Sequence, residues 1–209
     1  LDIAKDRLYV SAPNDTRRIT CQLVLSYIVE NLAGLIAPVL PHMAEDIWQN
    51  IPYSLKEESV FQRGWPIVPD KWQEKSISEY LKPLKELRSE INRTLEDCRS
   101  SKGLGSSLEA AIRLDINDKQ LRESILWLDK YGHREVDVLR DWLLISQLQL
   151  GGEPWAEILI SKDTKFGTIE VSRAKGKKCE RCWHFEIDIG NNINHENICP
   201  RCIDVIERI

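Results

Sequence analysis

Apolar residues at helical spacing dominate the first half of the chain. In three stretches, near residues 1–9, 16–37 and 78–100, apolar side chains recur every three or four positions, as in a helix with one buried face. The second stretch predicts the central helix of a bundle, with one buried stripe: Leu25, Ile28, Val29, Leu32, Leu35 and Ile36. Pro38 and Pro41 end that helix, and Pro41 opens a short helix that ends near Asn50.

The third helix carries its apolar stripe as far as Cys98, and Cys21 lies within the second helix. We therefore expect both cysteines to be packed thiols. Residues 53–75 between the helices show no regular spacing. Trp65 and Trp72 in this loop are expected to pin it onto the bundle rather than to bind a ligand.

The periodicity changes from helix to strand after a connection at residues 102–107. Gly103 and Gly105 predict a turn there rather than an anion site, because the full phosphate-loop pattern is missing. Alternating apolar and polar residues from Leu108 to Ile116 predict a half-buried strand. The other predicted elements are a helix at about 119–131, a helical turn at about 136–140, and strands at 143–150, 156–160 and 168–172.

Composition indicates a soluble globular protein of one or two domains, since 42% of the 209 residues are hydrophobic and 30% are charged. The longest apolar stretch, residues 23–40, is broken by Glu30, Asn31 and Pro38, so no membrane span is expected. The chain starts at Leu1, at what looks like the middle of a helix, and its single methionine is Met43. These features predict a piece of a longer protein.

The charge is distributed unevenly along the chain. A formal net charge of −4 argues against a uniformly basic nucleic-acid binder. Residues 162–183 nevertheless carry seven basic and three acidic side chains. The C-terminal part is therefore a basic segment on an acidic body, and basic segments of this kind are candidates for binding phosphate.

Two C-x2-C pairs near the C-terminus predict a structural zinc site with the ligands Cys179, Cys182, Cys199 and Cys202. Two residues between thiolates let one tight turn direct both sulfurs to the same ion. The alternatives are two disulfides or four unrelated thiols. His184 and His195 are rival ligands, but four cysteines already close a tetrahedral shell. A closed shell has no open position for water, so we expect this metal to stabilise the fold rather than to catalyse a reaction.

These patterns predict a mainly α fold: a helical bundle, a small mixed α/β domain and a C-terminal four-cysteine zinc knuckle. The expected boundaries are residues 1–103, 104–174 and 175–209. No nucleophile-elbow, phosphate-loop or dinucleotide motif is present, so the sequence offers no catalytic site.

The knuckle is instead a candidate RNA-binding surface. Arg181 and Arg201 each lie between paired cysteines, Trp183 follows Cys182, and Lys177 and Lys178 precede the first pair. Unpaired bases stack on aromatic rings, and lysines neutralise phosphates. The alternative is that Trp183 packs beneath the knuckle while the lysines are solvated.

The same residues carry a family resemblance. The segments Lys178-Cys-Glu-Arg-Cys-Trp-His184 and Cys199-Pro-Arg-Cys202 closely resemble the C-terminal zinc knuckle of bacterial-type isoleucyl-tRNA synthetases. Upstream motifs are similar to the helical anticodon-binding domain of that family and to the region that follows it: Lys5-Asp-Arg-Leu-Tyr9, Leu35-Ile-Ala-Pro-Val-Leu-Pro-His-Met-Ala-Glu-Asp-Ile-Trp48, Gly64-Trp-Pro66, Leu95-Glu96, Arg99, Lys102-Gly-Leu-Gly-Ser-Ser-Leu-Glu-Ala110 and Leu144-Ile-Ser-Gln147.

The resemblance implies a cytoplasmic enzyme that activates isoleucine with ATP and transfers it to its tRNA. The family's two ATP-site signatures, His-Ile-Gly-His and Lys-Met-Ser-Lys-Ser, are absent. Catalytic and editing domains would lie elsewhere in the parent protein, and this chain is expected to bind the tRNA for isoleucine without aminoacylating it. Arg88 and Arg99, on the face of the third helix expected to be exposed, are further candidate contacts. Formamidopyrimidine-type DNA glycosylases share the zinc pattern and are the alternative family.

Overall fold

The computed structural model describes residues 2–72, 74–101, 103–130 and 137–208. Lys102 of the predicted glycine connection lies outside the described residues. So do residues 131–136, where the sequence predicted the end of one helix and the start of a helical turn.

The described residues contain seven α-helices and six β-strands, in agreement with the prediction that helix predominates. The helices are α1 Asp2–Tyr9, α2 Thr16–Ile36, α3 Pro41–Gln49, α4 Lys75–Ser100, α5 Lys119–Asp129, α6 Val138–Leu143 and α7 Pro200–Glu207. The strands are β1 Ala110–Ile116, β2 Gln147–Leu150, β3 Ile160–Thr164, β4 Gly167–Arg173, β5 Lys177–Lys178 and β6 Phe185–Glu186.

Two compact units make up the chain: Leu1–Asp6 with Glu74–Ile209, and Arg7–Gln73. This grouping differs from the predicted boundary at residue 103, because α4 belongs to the same unit as the sheet. The apolar stripe of α4 explains the difference, since Leu84, Leu87, Ile91 and Leu95 form one core with strand residues. The three-part division remains a prediction.

The unit Arg7–Gln73 has a small core of short side chains around one indole. Ala33 and Ala37 at the end of α2 pack with Ala44 and Trp48 of α3 and with Val60. The indole N–H of Trp48 donates to the carbonyl of Glu57 at 3.0 Å, which ties the following loop to α3. A buried indole N–H needs such an acceptor.

The predicted buried stripe of α2 is wrong for the described structure of this unit. Ile28, Leu32 and Leu35 are each about half exposed, and the buried residues of the helix are Ala33 and Gly34. The helix is apolar on several sides, so spacing alone did not identify its packed face. By length and composition alone, α2 is long and apolar enough to cross a membrane. A single helix of this kind is weak evidence of a membrane span, because core helices of soluble proteins meet the same criteria of length and hydropathy.

The loop tryptophans differ from each other. Trp72 contacts Tyr27, with ring centroids 4.5 Å apart, as a pinning residue would. Trp65 is 67% exposed, so the prediction that it pins the loop is wrong. Gly64 precedes it with φ of 77°, a left-handed conformation that glycine adopts without strain.

The other unit is built on a four-stranded sheet of order β2-β1-β4-β3. Strands β1 and β2 are parallel, while β1–β4 and β4–β3 are antiparallel. One sheet face joins the α4 core through Ile112, Leu114, Ile169 and Val171. The parallel pair requires a crossover, and α5 and α6 lie in that connection.

The sequence located β1 and β4 correctly but misplaced their neighbours. The predicted strand at 156–160 is wrong, because β3 begins at Ile160. The predicted strand at 143–150 is shortened, since Leu143 ends α6 and Leu144 takes a left-handed conformation before β2. A tight β3–β4 hairpin depends on Gly167, where a Cβ would lie 1.9 Å from the carbonyl oxygen of Asp115.

Candidate metal centre and nucleic-acid surface

The four cysteines of the knuckle lie on two local structures. Cys179 and Cys182 occupy the turn between β5 and β6, which pair through Lys177–Glu186 and Lys178–Phe185. Cys199 is the N-cap of α7, and Cys202 lies in the first turn of that helix. Pro at the first helical position fixes where this helix starts, since proline has a suitable φ and no N–H to satisfy.

The geometry of the four sulfurs fits a tetrahedral metal site. All four Sγ atoms lie within 4.8 Å of one another, and all four residues are buried. The distances Cys179–Cys202 and Cys182–Cys199 are 3.8 and 3.6 Å. A tetrahedron with zinc–sulfur bonds of ~2.3 Å has edges of about 3.8 Å. A disulfide would need about 2.05 Å, so the four thiols are free and the disulfide alternative is excluded in this structure.

The protonation of these thiols shows why the cluster needs a cation. Thiol–thiol contacts, followed by burial, raise the pKa of Cys182 and of Cys202 to about 12. Burial acts to raise the pKa of Cys179 as well, but backbone N–H groups, including that of Cys199 at 3.3 Å, lower it to about 7. Four adjacent thiolates repel one another unless a metal ion compensates their charge. The donor set and its spacing fit zinc.

Neither histidine belongs to the cluster of candidate ligands found among the described residues. His184 is buried beside it, and its carbonyl accepts a hydrogen bond from the N–H of Cys179 at 2.8 Å. Burial, and then the charges of Arg140 and Arg201, lower the pKa of the His184 imidazole to about 4. His184 is therefore a neutral packing residue of the knuckle, as expected from a shell already closed by thiols.

Trp183 is the exposed aromatic residue of the knuckle. Its side chain is 60% exposed, so the ring is not packed beneath the metal site. The Nζ atom of Lys178 lies 5.3 Å from the ring centroid, within the range of a cation–π contact. The backbone of Trp183 has φ of 67°, and its N–H donates to the carbonyl of Cys179 at 2.9 Å. The turn between β5 and β6 thus holds an indole in solvent at the cost of an unfavourable backbone conformation.

Of the cations predicted around Trp183, Lys178 contacts its ring. Lys177 and Lys178 are exposed on β5, and Arg181 is half-buried, with Nη1 3.6 Å from the Sγ atom of Cys202. This distance suits a charge-assisted contact to a thiolate ligand.

Two upstream lysines of the basic segment are partly neutralised. Lys162 lies 3.4 Å from Asp97, and Lys165 lies 2.5 Å from Glu86, both acids of α4. Exposed pairs of this kind reduce the local positive potential. The positive charge of the segment is therefore concentrated nearer the knuckle, from Arg173 to Arg181.

The two arginines predicted on the exposed face of α4 are not equivalent. Arg99 is partly exposed and forms an ion pair with Glu96 of the same helix. Arg88 is half-buried, which corrects the expectation that it lies on an exposed face. Its charge acts on Asp2 of α1, whose pKa is lowered mainly by the hydrogen bond from Lys5.

Arg201 was expected near Trp183 on the surface of the knuckle, and the structure places its guanidinium elsewhere. It binds the carboxylate of Asp6 through two hydrogen bonds of 3.1 and 2.7 Å. The partners are 195 positions apart, and no local pattern in the sequence indicates this contact. Sequence reasoning missed it for that reason.

Comparisons with known proteins agree with this geometry. The family model described as "Anticodon-binding domain of tRNA ligase" matches residues 1–114, and the model described as "Zinc finger found in FPG and IleRS" matches residues 176–205. The zinc-finger family is compatible with both interpretations of the sequence, the tRNA ligase and the DNA glycosylase. The first favours the tRNA-ligase interpretation over the glycosylase alternative.

Similar proteins named isoleucine–tRNA ligase match over nearly the whole chain. The protein from Prochlorococcus marinus is 58% identical over 209 residues, which is 100% of this chain and 22% of that protein. The proteins from Parasynechococcus marenigrum and a Synechococcus strain are 58% identical over 208 residues, covering 100% of this chain and 21% and 22% of their own lengths.

The chain therefore spans about a fifth of the length of these relatives. The resemblance to isoleucyl-tRNA synthetases found in the sequence is confirmed by these similarities. Because the anticodon-binding model matches more than half of the residues, the chain belongs to the family of anticodon-binding domains of tRNA ligases.

Proposed function

We propose that this chain is the tRNA-binding portion of an isoleucine–tRNA ligase. The whole protein would attach isoleucine to its tRNA using ATP, with catalytic and editing domains in the remaining four-fifths of its length. Support comes from the family of the chain and from relatives that match it from end to end. A cytoplasmic location goes with this proposal, since free thiols persist in reducing compartments.

The proposed architecture is a helical bundle at 1–103, a small α/β domain at 104–174 and a zinc knuckle at 175–209. Cys179, Cys182, Cys199 and Cys202 are the proposed ligands, because their sulfurs have tetrahedral spacing. When bound, zinc supplies the charge that keeps these thiols deprotonated and joins the β5–β6 turn to α7.

The observation that carries the RNA-binding proposal is the exposed indole of Trp183 with Lys178 on its ring. An exposed ring on a rigid turn costs little to order when an unpaired base stacks on it. Lys178 contacts the ring, Lys177 precedes Lys178 on β5, and Arg181 lies two positions before Trp183 in the same turn; these three are the proposed phosphate contacts. Such contacts position the RNA, whereas base contacts discriminate between sequences.

On the helical side, Arg99 is the better of the two candidate contacts, since exchange of its exposed intrahelical pair for a phosphate costs little. Arg88 would first have to leave its half-buried position, so we propose it only as a secondary contact. In this scheme Arg99 of α4 and the knuckle both contact the anticodon stem and loop.

The first test is competition binding of the zinc-loaded chain at one stated salt concentration. The three competitors are an isoleucine anticodon stem-loop, the same hairpin with a changed anticodon, and duplex DNA with a damaged base. Preference for the first is the expected result. Preference for the damaged DNA would instead support the glycosylase-type module, and equal weak binding to all three would refute anticodon discrimination by this chain.

The second test separates stacking from charge. Trp183→Ala should weaken binding to the stem-loop by about 1–3 kcal/mol with zinc still bound. Lys177→Gln should weaken binding to all three ligands alike and reduce the salt slope by about one. Lys162→Gln is the matched control, because that lysine already contacts Asp97. Unchanged affinity in the zinc-loaded Trp183→Ala chain would refute the stacking role.

A further inference from the structure

Helix α1 has little apolar anchoring, since its apolar residues Ile3, Ala4 and Leu8 are only partly buried. None of its eight residues, Asp2–Tyr9, is buried. A helix of this length is only marginally stable in water on its own, and most helices in proteins are stabilised by packing an apolar face. Polar contacts therefore contribute substantially to the position of α1.

The strongest polar contact of α1 is made by Asp6. Both carboxylate oxygens accept hydrogen bonds from Arg201, at 3.1 and 2.7 Å, in a parallel two-bond arrangement. The side chains of Asp6 and Arg201 are each only 15% exposed. The other ion pair of α1, Lys5 with Asp2 at 3.0 Å, lies within the helix and is mostly exposed. It does not attach the helix to anything else.

The knuckle positions the backbone that carries Arg201. Arg201 lies between Cys199 and Cys202, in the first turn of α7, so two candidate metal ligands flank it in the chain. The charge of Asp141 of α6 also acts on Arg201. The guanidinium of Arg201 is planar and presents parallel N–H donors, so it is suited to bind one carboxylate through two hydrogen bonds.

We propose that Arg201 is a positioning residue that docks the Asp2–Asp6 segment of α1 onto the knuckle, so that the placement of this segment depends on the metal. The inference rests on the proposed metal site. It joins the two family matches physically, because Asp6 lies in the anticodon-binding match and Arg201 lies in the zinc-finger match. Loss of metal would release the start of the anticodon-binding match as well as the knuckle.

Hydrogen exchange of the whole chain, with and without a zinc chelator, tests this dependence. In the zinc-loaded wild type, the amides of Asp6–Tyr9 should be protected, because within α1 they donate to the carbonyls of the Asp2–Lys5 turn, whereas the first-turn amides have no helical acceptor. Chelation should remove that protection together with that of α7. In zinc-loaded Asp6→Asn and Arg201→Met, the same amides should exchange at least about tenfold faster, because one partner of a largely buried pair is missing. In both variants α7 should keep its protection and the chain should keep one zinc.

Arg201→Lys should restore part of the protection, since it keeps the charge but not the two-bond fork. Lys5→Met, at the exposed pair of the same helix, is the control and should exchange as the wild type does. Unchanged protection of the segment in Asp6→Asn, or a wild-type segment that does not respond to chelation, would overturn the proposal. Loss of zinc from either variant would also count against it, because the pair would then build the metal site rather than use it. No RNA enters this experiment, so its failure is distinct from failure of anticodon binding.

Discussion

Position 183 should reverse the usual stability order of alanine and glycine. Trp183 has φ of 67°, in the left-handed region where side chains with a Cβ cost about 1–2 kcal/mol. At ordinary positions a glycine variant is instead about 0.5–1 kcal/mol less stable than the alanine variant, because glycine makes the unfolded chain more flexible and so loses more conformational entropy on folding. Trp183→Ala and Trp183→Gly both remove the indole, so its lost contacts cancel in the comparison. The difference leaves the glycine variant more stable by about 0.5–1 kcal/mol.

Local hydrogen exchange is the suitable assay, because the chain has two compact units and global unfolding need not be two-state. The amide of Cys179 donates to the carbonyl of His184 and so reports opening of the turn that contains Trp183. In zinc-loaded protein this amide should exchange about two- to fivefold more slowly in the glycine variant than in the alanine variant.

Glu180 provides the matched control, since it lies exposed in the same turn and is not among the residues with positive φ. There Glu180→Ala should be more protected than Glu180→Gly. Equal or greater protection of Trp183→Ala over Trp183→Gly would refute the argument that this turn stores backbone strain. Stem-loop affinity should fall by the same factor in both Trp183 variants, because stacking belongs to the ring.

Three further predictions concern the metal, a buried ion pair and pH. Cys199→Ser should lower zinc below one per chain by elemental analysis and remove amide protection from α7; a stoichiometric, protected variant would contradict the site. Glu170→Gln should destabilise the sheet by about 3 kcal/mol, measured by hydrogen exchange of the β1 and β4 amides, because the buried charge of Arg113 then has no carboxylate partner, and a paired apolar replacement of both residues should restore stability. The folded-state pKa of His184, about 4, lies below its unfolded value near 6.5, so only the unfolded chain gains a proton as pH falls through this window. Wild type should lose about 2 kcal/mol more than His184→Phe between pH 7 and 5, and parallel pH curves would contradict a neutral buried imidazole.

Local patterns predicted the parts of this molecule that local chemistry determines. The spacing of Cys179 and Cys182 is set by one turn, and such a spacing is visible in the sequence alone. The alternation that predicted β1 also has a local cause, since each side chain faces either the α4 core or the opposite face of the sheet. The apolar stripe of α4 is also a local pattern, because residues three or four positions apart lie on one face of a helix, and that face is buried in the core.

The predictions failed where the outcome depends on distant partners. Helix α2 is apolar on several sides, so the sequence could not identify its buried face, and Leu32 was wrongly placed in a core. Strand β3 alternates through polar residues such as Ser161 and Lys162, and its pairing with β4 is what makes it a strand. The contact between Asp6 and Arg201 has no sequence signature at all.

Arg181 and Arg201 show how local structure divides two similar motifs between different roles. Both occupy the third position of a C-x-R-C segment, although only Arg181 was predicted from the sequence to contact RNA. In the first segment the arginine lies in a turn between short strands and remains half-exposed near Trp183. In the second, Pro200 begins a helix at that point, and the first turn of α7 directs the side chain of Arg201 to Asp6. A proline at the intervening position therefore separates an arginine proposed to bind RNA from one proposed to hold the protein together.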